Sequence, residues 1–416
     1  MDNLRVDGAR LWRTLMETAE IGGTPKGGIN RQALTDLDAQ VRHRLIAWAE
    51  EAGCTVTIDR VGNIFARRPG RDPSLPPVAV GSHLDTQPTG GKFDGILGVL
   101  AGLELIRTLN DAGYETEAPI ELINWTNEEG ARFAPAMLAS GVFTGRFALD
   151  YALARPDRDG KLFGEELERI GFAGATPCGD HPLAAFFELH IEQGPILEAE
   201  EKTIGVVTGV QGIRWYTFSV TGQDSHAGTT PMNHRHDAFQ GLARFAVALD
   251  RIARDEGGGA VATIGVVEVS PGSTNVVPGA AKATIDLRHP HDDALDRMEA
   301  AFRAEAAGIG RDLGIEIRFD TTWAAPAVWF DNDCIAAVRA AAEASGLGYR
   351  DIVSGAGHDA ANLAAITPTA MVFVPCAGGI SHNEAESITE ADAAAGANVL
   401  LQAVLSVANS SVVHKT

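Results

Sequence analysis

Residues 78–86 read VAVGSHLDT, an apolar run that is followed at once by a histidine and an aspartate. A short apolar run bounded by turn residues is typical of a strand that is buried on both faces. Polar side chains directly after such a strand lie at its carboxyl end, where open α/β sheets form their ligand crevice. We therefore predict an α/β fold whose functional site contains His83 and lies close to Asp85.

Four further motifs carry potential metal ligands, each at a predicted strand end or in a tight loop. Asp94 stands in GGKFDG (90–95), Glu129 in NWTNEEG (124–130), His190 in ELHIEQGP (188–195) and His382 in GISHNE (379–384). Two divalent ions roughly 3.5–4 Å apart need a bridging carboxylate, a few terminal ligands and open positions for water and substrate. Together with His83, these residues meet that need, and the sequence predicts a two-metal hydrolase.

Each residue also has a plain structural interpretation, because a single histidine after a strand is more often a hydrogen-bonded polar residue than a ligand. The joint pattern favours the metal site. Asp85 is expected to accept the imidazole N–H of His83 and so to fix its tautomer. Glu128 and Glu129 are either two exposed charges or a ligand beside a general base that takes a proton from the attacking water.

These motifs resemble those of the di-metal aminoacylase/carboxypeptidase superfamily, specifically its hydantoinase/carbamoylase branch, and the resemblance is collinear over nearly the whole chain. Carried over residue by residue, it implies the following roles: His83 and His190 on one ion, Glu129 and His382 on the other, Asp94 as the bridge, Glu128 as the base. It also implies a cis Asp94–Gly95 peptide bond. The two ions would be Zn²⁺, Mn²⁺, Co²⁺ or Ni²⁺, since sites of this ligand type accept all four.

The chain has 416 residues and a formal net charge of −21. Because one core usually stops growing at about 250–300 residues, two domains are expected. The negative charge argues against nucleic acid or an anionic membrane as a partner. The four cysteines are far apart, the segment beginning at Met1 has no apolar leader, and no window approaches 18 uninterrupted apolar residues. These features predict reduced thiols, no membrane insertion and a cytoplasmic location.

Hydrophobic periodicity predicts a catalytic domain with a mixed twisted sheet flanked by helices, made of residues 1–211 and 328–416. Its predicted elements are helices 32–51 and 95–110 and strands 55–58, 63–66, 78–81, 120–125 and 186–189. Residues 212–327 are predicted to form an inserted α+β domain of βαββαβ order, with two helices on one face of a four-stranded sheet. None of the five ligands lies in it. We interpret it as a lid and dimerisation domain, and expect a homodimer.

The inserted domain contains three candidate catalytic or substrate-binding residues. His226 lies in QDSHAGTTPM (223–232), Asn275 in STNVVPG (273–279) and Arg288 in DLRHP (286–290); each is otherwise an ordinary loop or strand-end residue. The resemblance implies that His226 polarises the scissile carbonyl or stabilises the oxyanion, often in the active site of the partner subunit. Arg288 is suited to hold a carboxylate through two hydrogen bonds, and Asn275 and Gln193 would add amide contacts. His358 and Asp359 stay outside the predicted catalytic set: Asp359 is interpreted as a helix N-cap, and His358 either as a residue behind the ligands or as a surface residue.

The sequence thus predicts an N-carbamoyl-amino-acid amidohydrolase that releases amino acid, carbon dioxide and ammonia from a small carbamoyl amino acid, with an L-α-amino acid or β-alanine as product. Allantoate amidohydrolase is an alternative that would use the same ligands and Arg288. Aminoacylase or metallopeptidase activity is another, because it needs the same metals and base. A silent binding module is disfavoured, since Glu128 and all five ligands are present.

Overall fold

A computed structural model describes residues 4–410. The predicted absence of a leader at Met1 falls partly on residues 1–3, which lie outside the described residues. The described chain divides into two compact units: the second unit is Val210–Val328, and the first contains the remaining described residues on both sides of it. These bounds differ by one or two residues from the predicted 212–327.

The first unit is built on a mixed sheet. Its strands are β1 (Thr55–Ile58), β2 (Ile64–Arg68), β3 (Val78–His83), β4 (Ile120–Trp125), β5 (Ala185–Ile191), β6 (Ile204–Val210), β13 (Val328–Trp329), β14 (Tyr349–Ser354) and β15 (Thr369–Val374). They follow the order β1-β2-β4-β3-β5-β15-β6-β13, and β14 also pairs with β6. The central strands β4, β3, β5 and β15 are parallel to one another, whereas β2 runs antiparallel to β1 and β4, and β6 runs antiparallel to β15. The predicted mixed sheet is confirmed.

Helices flank this sheet. They are α1 (Gly8–Ala19), α2 (Asp36–Glu51), α3 (Ile96–Asp111), α4 (Leu138–Phe143), α5 (Leu149–Leu153), α6 (Phe163–Arg169), α7 (Ile196–Ala199), α10 (Asn332–Ala344), α11 (Asp359–Leu363) and α12 (Glu390–Ala408), with a 3-10 turn at Ala377–Gly379. Among the described residues, α12 alone is long and apolar enough to cross a membrane by length and composition. It packs against α10, α1 and β15, so its apolar surface belongs to the core of the first unit.

Helix α2 begins later than its hydrophobic pattern predicts. The prediction began at Gln32, but Leu34 has a φ of 58°, in the left-handed region, and cannot continue a helix. Thr35 caps the helix instead, because its hydroxyl accepts a hydrogen bond from the Asp38 N–H. Leu34 is nevertheless fully buried. Its apolar side chain therefore matched the helical spacing although the residue lies outside the helix.

The close packing of α3 on the sheet brings its amino end to the carboxyl ends of β3 and β5. A Cβ added at Gly98 would overlap the Leu189 carbonyl and the Ser82 side chain, and one at Gly102 would press on Val80. Only glycine permits so close an approach of helix and strands. The turn that precedes α3 carries Asp94, which is thereby held beside the strands that carry the histidines.

The second unit has the predicted βαββαβ order. Its elements are β7 (Gly212–Thr221), β8 (Ser225–His226), α8 (Ala238–Glu256), β9 (Val261–Ser270), β10 (Val276–Val277), β11 (Ala280–His289), α9 (Asp292–Leu313) and β12 (Glu316–Ala325), with a 3-10 turn at Met232–His234. The four long strands form an antiparallel sheet in the order β12-β7-β11-β9, and β8 pairs with β10 in a separate ribbon. The core of this unit lies between the sheet and the two helices, around Phe218, Phe245 and Phe302.

Candidate metal centre and its surroundings

The five predicted ligand side chains converge at the carboxyl ends of the central strands. They form two groups that share one carboxylate: His83, Asp94 and His190 in the first, and Asp94, Glu129 and His382 in the second. His83 is the last residue of β3, His190 is the penultimate residue of β5, and Glu129 follows β4. Parallel strands present their carboxyl ends at the same edge of a sheet, and this brings residues from distant parts of the chain together.

Asp94 lies between the two groups and offers one oxygen to each. Its Oδ1 is 3.1 Å from His190 Nε2 and 3.5 Å from His83 Nε2. Its Oδ2 is 3.5 Å from His382 Nε2, and the same His382 atom is 3.4 Å from Glu129 Oε2. A carboxylate that is shared in this way has the placement that a bridging ligand requires.

Backbone carbonyls fix the orientation of the two buried histidines. His83 Nδ1 lies 2.9 Å from the Asp85 carbonyl, and His190 Nδ1 lies 2.9 Å from the Ile191 carbonyl. A carbonyl oxygen only accepts, so in each neutral ring Nδ1 carries the hydrogen and Nε2 has a lone pair directed at Asp94. Both rings are thus held in the tautomer that binds a metal through Nε2.

The predicted role of the Asp85 side chain is wrong in its detail. Its carboxylate lies 4.0 Å from His83 Nδ1, and the carbonyl of the same residue takes the imidazole hydrogen bond. The carboxylate instead accepts the backbone N–H groups of Glu128 at 3.2 Å and of Glu129 at 3.3 Å. Asp85 therefore positions the backbone of the glutamate pair, because a buried carboxylate takes the N–H donors that face it.

Glu128 is buried beside the first group, with its Oε2 3.5 Å from His83 Nε2. Burial raises the pKa of Glu128 well above its ordinary value; His83 opposes this, and the nearby carboxylates of Asp359 and Glu129 add to it. The preceding residue, Asn127, has a φ of 60°. The Glu128 carbonyl accepts the Met137 N–H at 2.6 Å, which closes the loop that follows. A raised pKa makes the ionised carboxylate a stronger base.

Glu129 is held by Gln87, a residue that the sequence analysis did not identify. The Gln87 backbone N–H donates to Glu129 Oε1 at 3.2 Å, and its side-chain amide donates to Oε2 at 2.8 Å. Burial, followed by the charge of Asp94, raises the pKa of Glu129 to about 8. Only the position of Gln87, four residues after His83, pointed to it.

Strained backbone occurs at two further positions of the site. His382 has a φ of 53° and Gln193 a φ of 59°, both uncommon for residues with a side chain. Such conformations persist where surrounding contacts over-determine them, and they cluster at functional sites. Gln193, predicted to bind substrate, donates its side-chain amide to Asp94 Oδ2 at 2.8 Å. In this structure its shortest side-chain contact is thus with the shared carboxylate, and the Ser381 hydroxyl and His382 Nε2 lie within 3.4 Å of the same amide nitrogen.

The expected cis Asp94–Gly95 bond is absent: within residues 4–410 the cis peptides are Ala134–Pro135 and Ser270–Pro271. The chain turns at this point through glycine geometry, since Gly95 has a φ of 69°. A Cβ at Gly95 would overlap the imidazole of His83, so the turn packs directly on that ring. The Gly95 N–H points to His190 Nε2 at 3.1 Å.

The donor set and its spacing fit divalent metal ions. Bonds of about 2.0–2.2 Å in a tetrahedral site place neighbouring ligand atoms about 3.4 Å apart. The separations of 3.1 to 3.5 Å between Asp94 and its histidines agree with this value. Three carboxylates, Asp94, Glu128 and Glu129, lie in one small buried volume, and cations would offset their mutual repulsion. His/carboxylate ligands suit zinc and neighbouring transition metals.

Ser381 and Glu386 complete the surroundings of Asp94, and neither received a role from the sequence. The Ser381 hydroxyl lies 2.9 Å from Asp94 Oδ2 and 3.2 Å from Glu386 Oε2. Burial, followed by the charge of Asp94, raises the pKa of Glu386 to about 7. Glu386 follows the predicted ligand His382 by four residues, and this spacing was the available signal.

His358 and Asp359, which the sequence analysis left aside, lie behind the first group. The His358 ring is 4.6 Å from the His190 ring, centroid to centroid, and its Nε2 is 3.0 Å from Ser354 Oγ. Burial and the neighbouring His190 lower the pKa of His358 well below its ordinary value. Asp359 is completely buried, and burial raises its pKa well above its ordinary value. Both are thus packed against the site and are not surface residues.

In the second unit, the structure brings His226 and Asn275 together. Val276 pairs with His226 in the β8–β10 ribbon, and the Asn275 carbonyl accepts the Ala227 N–H at 2.9 Å. His226 is exposed, and its Nδ1 accepts the N–H groups of Gly228 at 3.0 Å and Thr229 at 3.2 Å. An acceptor at Nδ1 leaves the hydrogen of the neutral ring on Nε2, so His226 presents a donor outward.

Arg288 lies at the other end of β11 from this ribbon. Eight residues of continuous strand separate Ala280, where β11 begins, from Arg288, which pairs with Ile213. At about 3.3 Å per residue the two ends are roughly 26 Å apart. The Arg288 guanidinium is held by Asp286, with Nη2 at 2.8 Å from Oδ2. The predicted carboxylate-binding arginine is therefore already paired with a carboxylate of its own strand.

Comparisons with known proteins identify the family of the chain. The model of Peptidase family M20/M25/M40 matches residues 79–406. An N-carbamoyl-L-amino-acid amidohydrolase from Rhizobium meliloti is 51% identical over 407 residues, which is 98% of each chain. An amidase of the hydantoinase/carbamoylase family from Burkholderia multivorans has a similar solved structure, with a TM-score of 0.96, 58% identity and coverage of 98% of this chain and 99% of that one. A ureidoglycolate hydrolase from Arabidopsis thaliana is 33% identical, over 96% of this chain and 86% of its own.

The matched region begins at β3 and ends within α12, so it contains both candidate metal-binding groups and the whole second unit. The full-length similarity to an amidohydrolase and to a hydantoinase/carbamoylase amidase identifies the branch of the family. The chain belongs to the M20/M25/M40 peptidase family, within its hydantoinase/carbamoylase branch, and is a hydrolase that acts on C–N bonds.

Proposed function

We propose that this hydrolase is an N-carbamoyl-amino-acid amidohydrolase with two divalent metal ions per subunit. The observation that carries the proposal is the pair of three-ligand groups that share Asp94, with the buried Glu128 beside them. The amidohydrolase from Rhizobium meliloti, similar along its full length, supports the carbamoyl group as the site of cleavage.

Bound at these groups, divalent ions would polarise the ureido carbonyl and lower the pKa of water. Glu128 takes the proton of the attacking water and returns it to the leaving amine nitrogen. His226 donates its Nε2 hydrogen to the oxygen on which negative charge develops, a contribution of about 10²–10³ in rate. The overall reaction consumes water and yields amino acid, carbon dioxide and ammonia.

Arg288 and Asn275 set the substrate class in this proposal. Arg288 would exchange its contact with Asp286 for the substrate carboxylate, with two parallel N–H donors. Asn275 and Gln193 provide amide groups for the polar carbamoyl end. The substrate is thus a small molecule with a carboxylate at one end and a carbamoyl group at the other.

The separation of about 26 Å along β11 also favours a homodimer. A carbamoyl amino acid is much shorter than this, so it cannot contact Arg288 and His226 of the same chain. Each site would combine Arg288 of one subunit with His226 of the other, through a two-fold axis. The outer edge of β9 supports this, because Val261, Val266 and Val267 are about half exposed along an edge strand.

A mixing experiment tests the shared site. His226→Ala and Arg288→Ala proteins, each with a lower kcat/KM than the wild type when refolded alone, are unfolded together and refolded. If the site is shared, random pairing makes half of the dimers mixed with one intact site each, and about one quarter of wild-type activity returns. Each variant refolded alone is the control. No recovery in a mixture that sediments as a dimer would assign both residues to one chain's site.

Ammonia release by the metal-reconstituted protein tests the reaction. The panel is N-carbamoyl-L-methionine, N-carbamoyl-β-alanine, allantoate, ureidoglycolate and N-acetyl-methionine, the last scored by amine release. We expect the carbamoyl amino acids to be preferred. Preference for allantoate or ureidoglycolate would move the assignment to those ureido acids, and preference for the acetyl compound would establish an aminoacylase. The cytoplasmic location stays a prediction.

A further inference from the structure

Glu386 is a buried carboxylate that supports the turn carrying Asp94. Its Oε1 accepts the backbone N–H of Phe93 at 3.0 Å and that of Asp94 at 3.1 Å, although 292 residues separate Asp94 from Glu386 along the chain. Only 4% of Glu386 is exposed. One carboxylate oxygen therefore holds two successive peptide groups at the point where the chain turns into α3.

The surrounding loops are shaped around this carboxylate. A Cβ added at Gly91 would overlap the Glu386 carboxylate, so the Gly90–Gly91 segment lies directly against it. The loop that contains Glu386 is anchored on the other side by Glu384, whose backbone leaves no room for a Cβ at Gly28 and whose carboxylate accepts the Thr24 hydroxyl. The position of Glu386 is thus fixed from two directions.

Side-chain contacts extend the support to the Asp94 carboxylate itself. Ser381 Oγ, 3.2 Å from Glu386 Oε2, donates to Asp94 Oδ2 at 2.9 Å, and the Gln193 amide donates to the same oxygen at 2.8 Å. Both donors act on Oδ2, so Oδ1 faces His83 and His190. The backbone hydrogen bonds to Glu386 fix the position of the Asp94 main chain. The Ser381 and Gln193 donors fix the rotation of the Asp94 carboxylate.

We propose that Glu386 is a positioning residue for the metal centre: it holds the Phe93–Asp94 turn so that Asp94 presents one oxygen to each metal-binding group. The inference rests on the proposed ligand set. Without Glu386, two buried N–H groups lose their acceptor, and the turn moves to find new ones. A shared ligand has to bind two ions at once, so a small rotation of the Asp94 carboxylate weakens metal binding at both groups. Residues that orient ligands from behind typically change metal affinity by about 10–100-fold.

A purely structural role is the competing explanation, and Asp331 provides a matched control. Its carboxylate also accepts two backbone N–H groups, those of Asp333 at 3.0 Å and Cys334 at 2.9 Å, at the start of α10. The Asp331 backbone N–H donates to the carbonyl of Thr369, the first residue of β15. Asp331 therefore lies at the amino end of β15, whereas the candidate metal centre lies towards the carboxyl end. Asp331→Ala removes the same number of bonds away from the ligands.

The experiment titrates Mn²⁺ or Zn²⁺ into chelator-treated protein by calorimetry and measures the melting temperature of each metal-free protein. Glu386→Ala is expected to bind metal about 10–100-fold more weakly, while Asp331→Ala binds like wild type even where its melting temperature falls as far. Glu386→Gln is expected to restore much of the affinity, because its amide oxygen still accepts both N–H groups.

Gly91→Ala is a second variant that leaves Glu386 in the chain and displaces its carboxylate. It is expected to weaken metal binding as Glu386→Ala does, and it keeps the test valid if that variant fails to fold. Wild-type affinity in Glu386→Ala or in folded Gly91→Ala would overturn the proposal, as would equal weakening in Asp331→Ala. A wild-type protein that binds no metal would instead refute the proposed ligand set.

Discussion

His83 and His226 are both assigned to the same reaction, but the structure holds them in different ways. His83 is buried, its Nδ1 is fixed by a backbone carbonyl, and its Nε2 faces Asp94 and Glu128. His226 is exposed, and its described partners are N–H groups of its own loop. His83, a candidate metal ligand, is thus positioned by contacts within the first unit, whereas His226 presents an exposed ring in the second unit.

The difference indicates two kinds of function within one chain. Groups that must hold ions in one geometry need a fixed position, as His83 and His190 have at buried strand ends, since small displacements cost affinity. Groups that bind and release a substrate are better placed on accessible surfaces, where they can engage after binding. If this division is correct, changes in the first unit alter metal content, and changes in the second unit alter substrate use while metal content stays the same.

The largest effect is expected for Asp94→Ala. Its carboxylate belongs to both three-ligand groups, so its loss should lower metal occupancy at both positions and abolish turnover. Metal analysis of the reconstituted protein measures this directly, with Arg288→Ala as the control that should keep two ions. Two ions retained by Asp94→Ala would show that Asp94 is not the bridge.

Glu128→Gln is expected to reduce turnover by about 10²–10⁴-fold, because the amide cannot take a proton. Metal content should stay at the wild-type value, since Glu128 is assigned as the base and not as a ligand. The two measurements are made on the same preparation. Loss of an ion from this variant would place Glu128 among the ligands and remove it as the base.

The sequence predicted that the five candidate ligand side chains lie close together, because local patterns determine the strands that carry or precede several of them. Apolar runs that end in His83 or near Glu129 form parallel strands. The side chains lie together at the carboxyl ends of these strands, which is where open α/β sheets form their ligand crevice. Their metal-binding role stays a prediction. The βαββαβ order of the second unit also followed from hydrophobic periodicity and was confirmed.

The features that the sequence did not predict depend on contacts between distant segments. Glu386 binds the backbone of Asp94 across 292 residues, and Gln87 holds Glu129 across 42, so the local signal for each was only its spacing of four residues from a predicted ligand. The Asp85 carboxylate accepts the N–H groups of Glu128 and Glu129, because the backbone carbonyl of Asp85 accepts the His83 hydrogen bond in its place. Motif spacing names the residues of a site, but it does not tell which atom of each will be used.

A smaller effect is expected for Arg288→Ala, which tests the second unit. Loss of a charged contact to the substrate carboxylate should cost about 1.5–3 kcal/mol, mostly in kcat/KM. The wild type should prefer a carbamoyl amino acid to its carboxamide, and Arg288→Ala should narrow that preference. Arg254→Ala, an arginine of the same unit paired with Asp250, is the control. Equal hydrolysis of acid and carboxamide by the wild type would rule out Arg288 as the carboxylate-binding residue.

The smallest effect concerns the metal-free protein and pH. Glu129 has a pKa raised to about 8 and Glu386 a pKa raised to about 7. Between about pH 5 and 7 the folded state therefore holds protons that the unfolded state, with ordinary pKa values, releases. Unfolding is thus favoured as pH rises, and the metal-free protein should lose up to about 1.4 kcal/mol of unfolding free energy per pH unit for each group.

Urea unfolding of chelator-treated protein at pH 5.5, 6.5 and 7.5 measures this slope. Glu129→Gln removes one titrating group, so its slope should be shallower than that of the wild type, while the general effect of net charge is the same in both. Bound metal requires deprotonated ligands, so the metal-loaded protein should lose this trend or reverse it. A metal-free wild type that grows more stable towards pH 7.5 would show that these carboxylates are already ionised in the folded state. In that case cations would not be needed to offset the repulsion within the cluster.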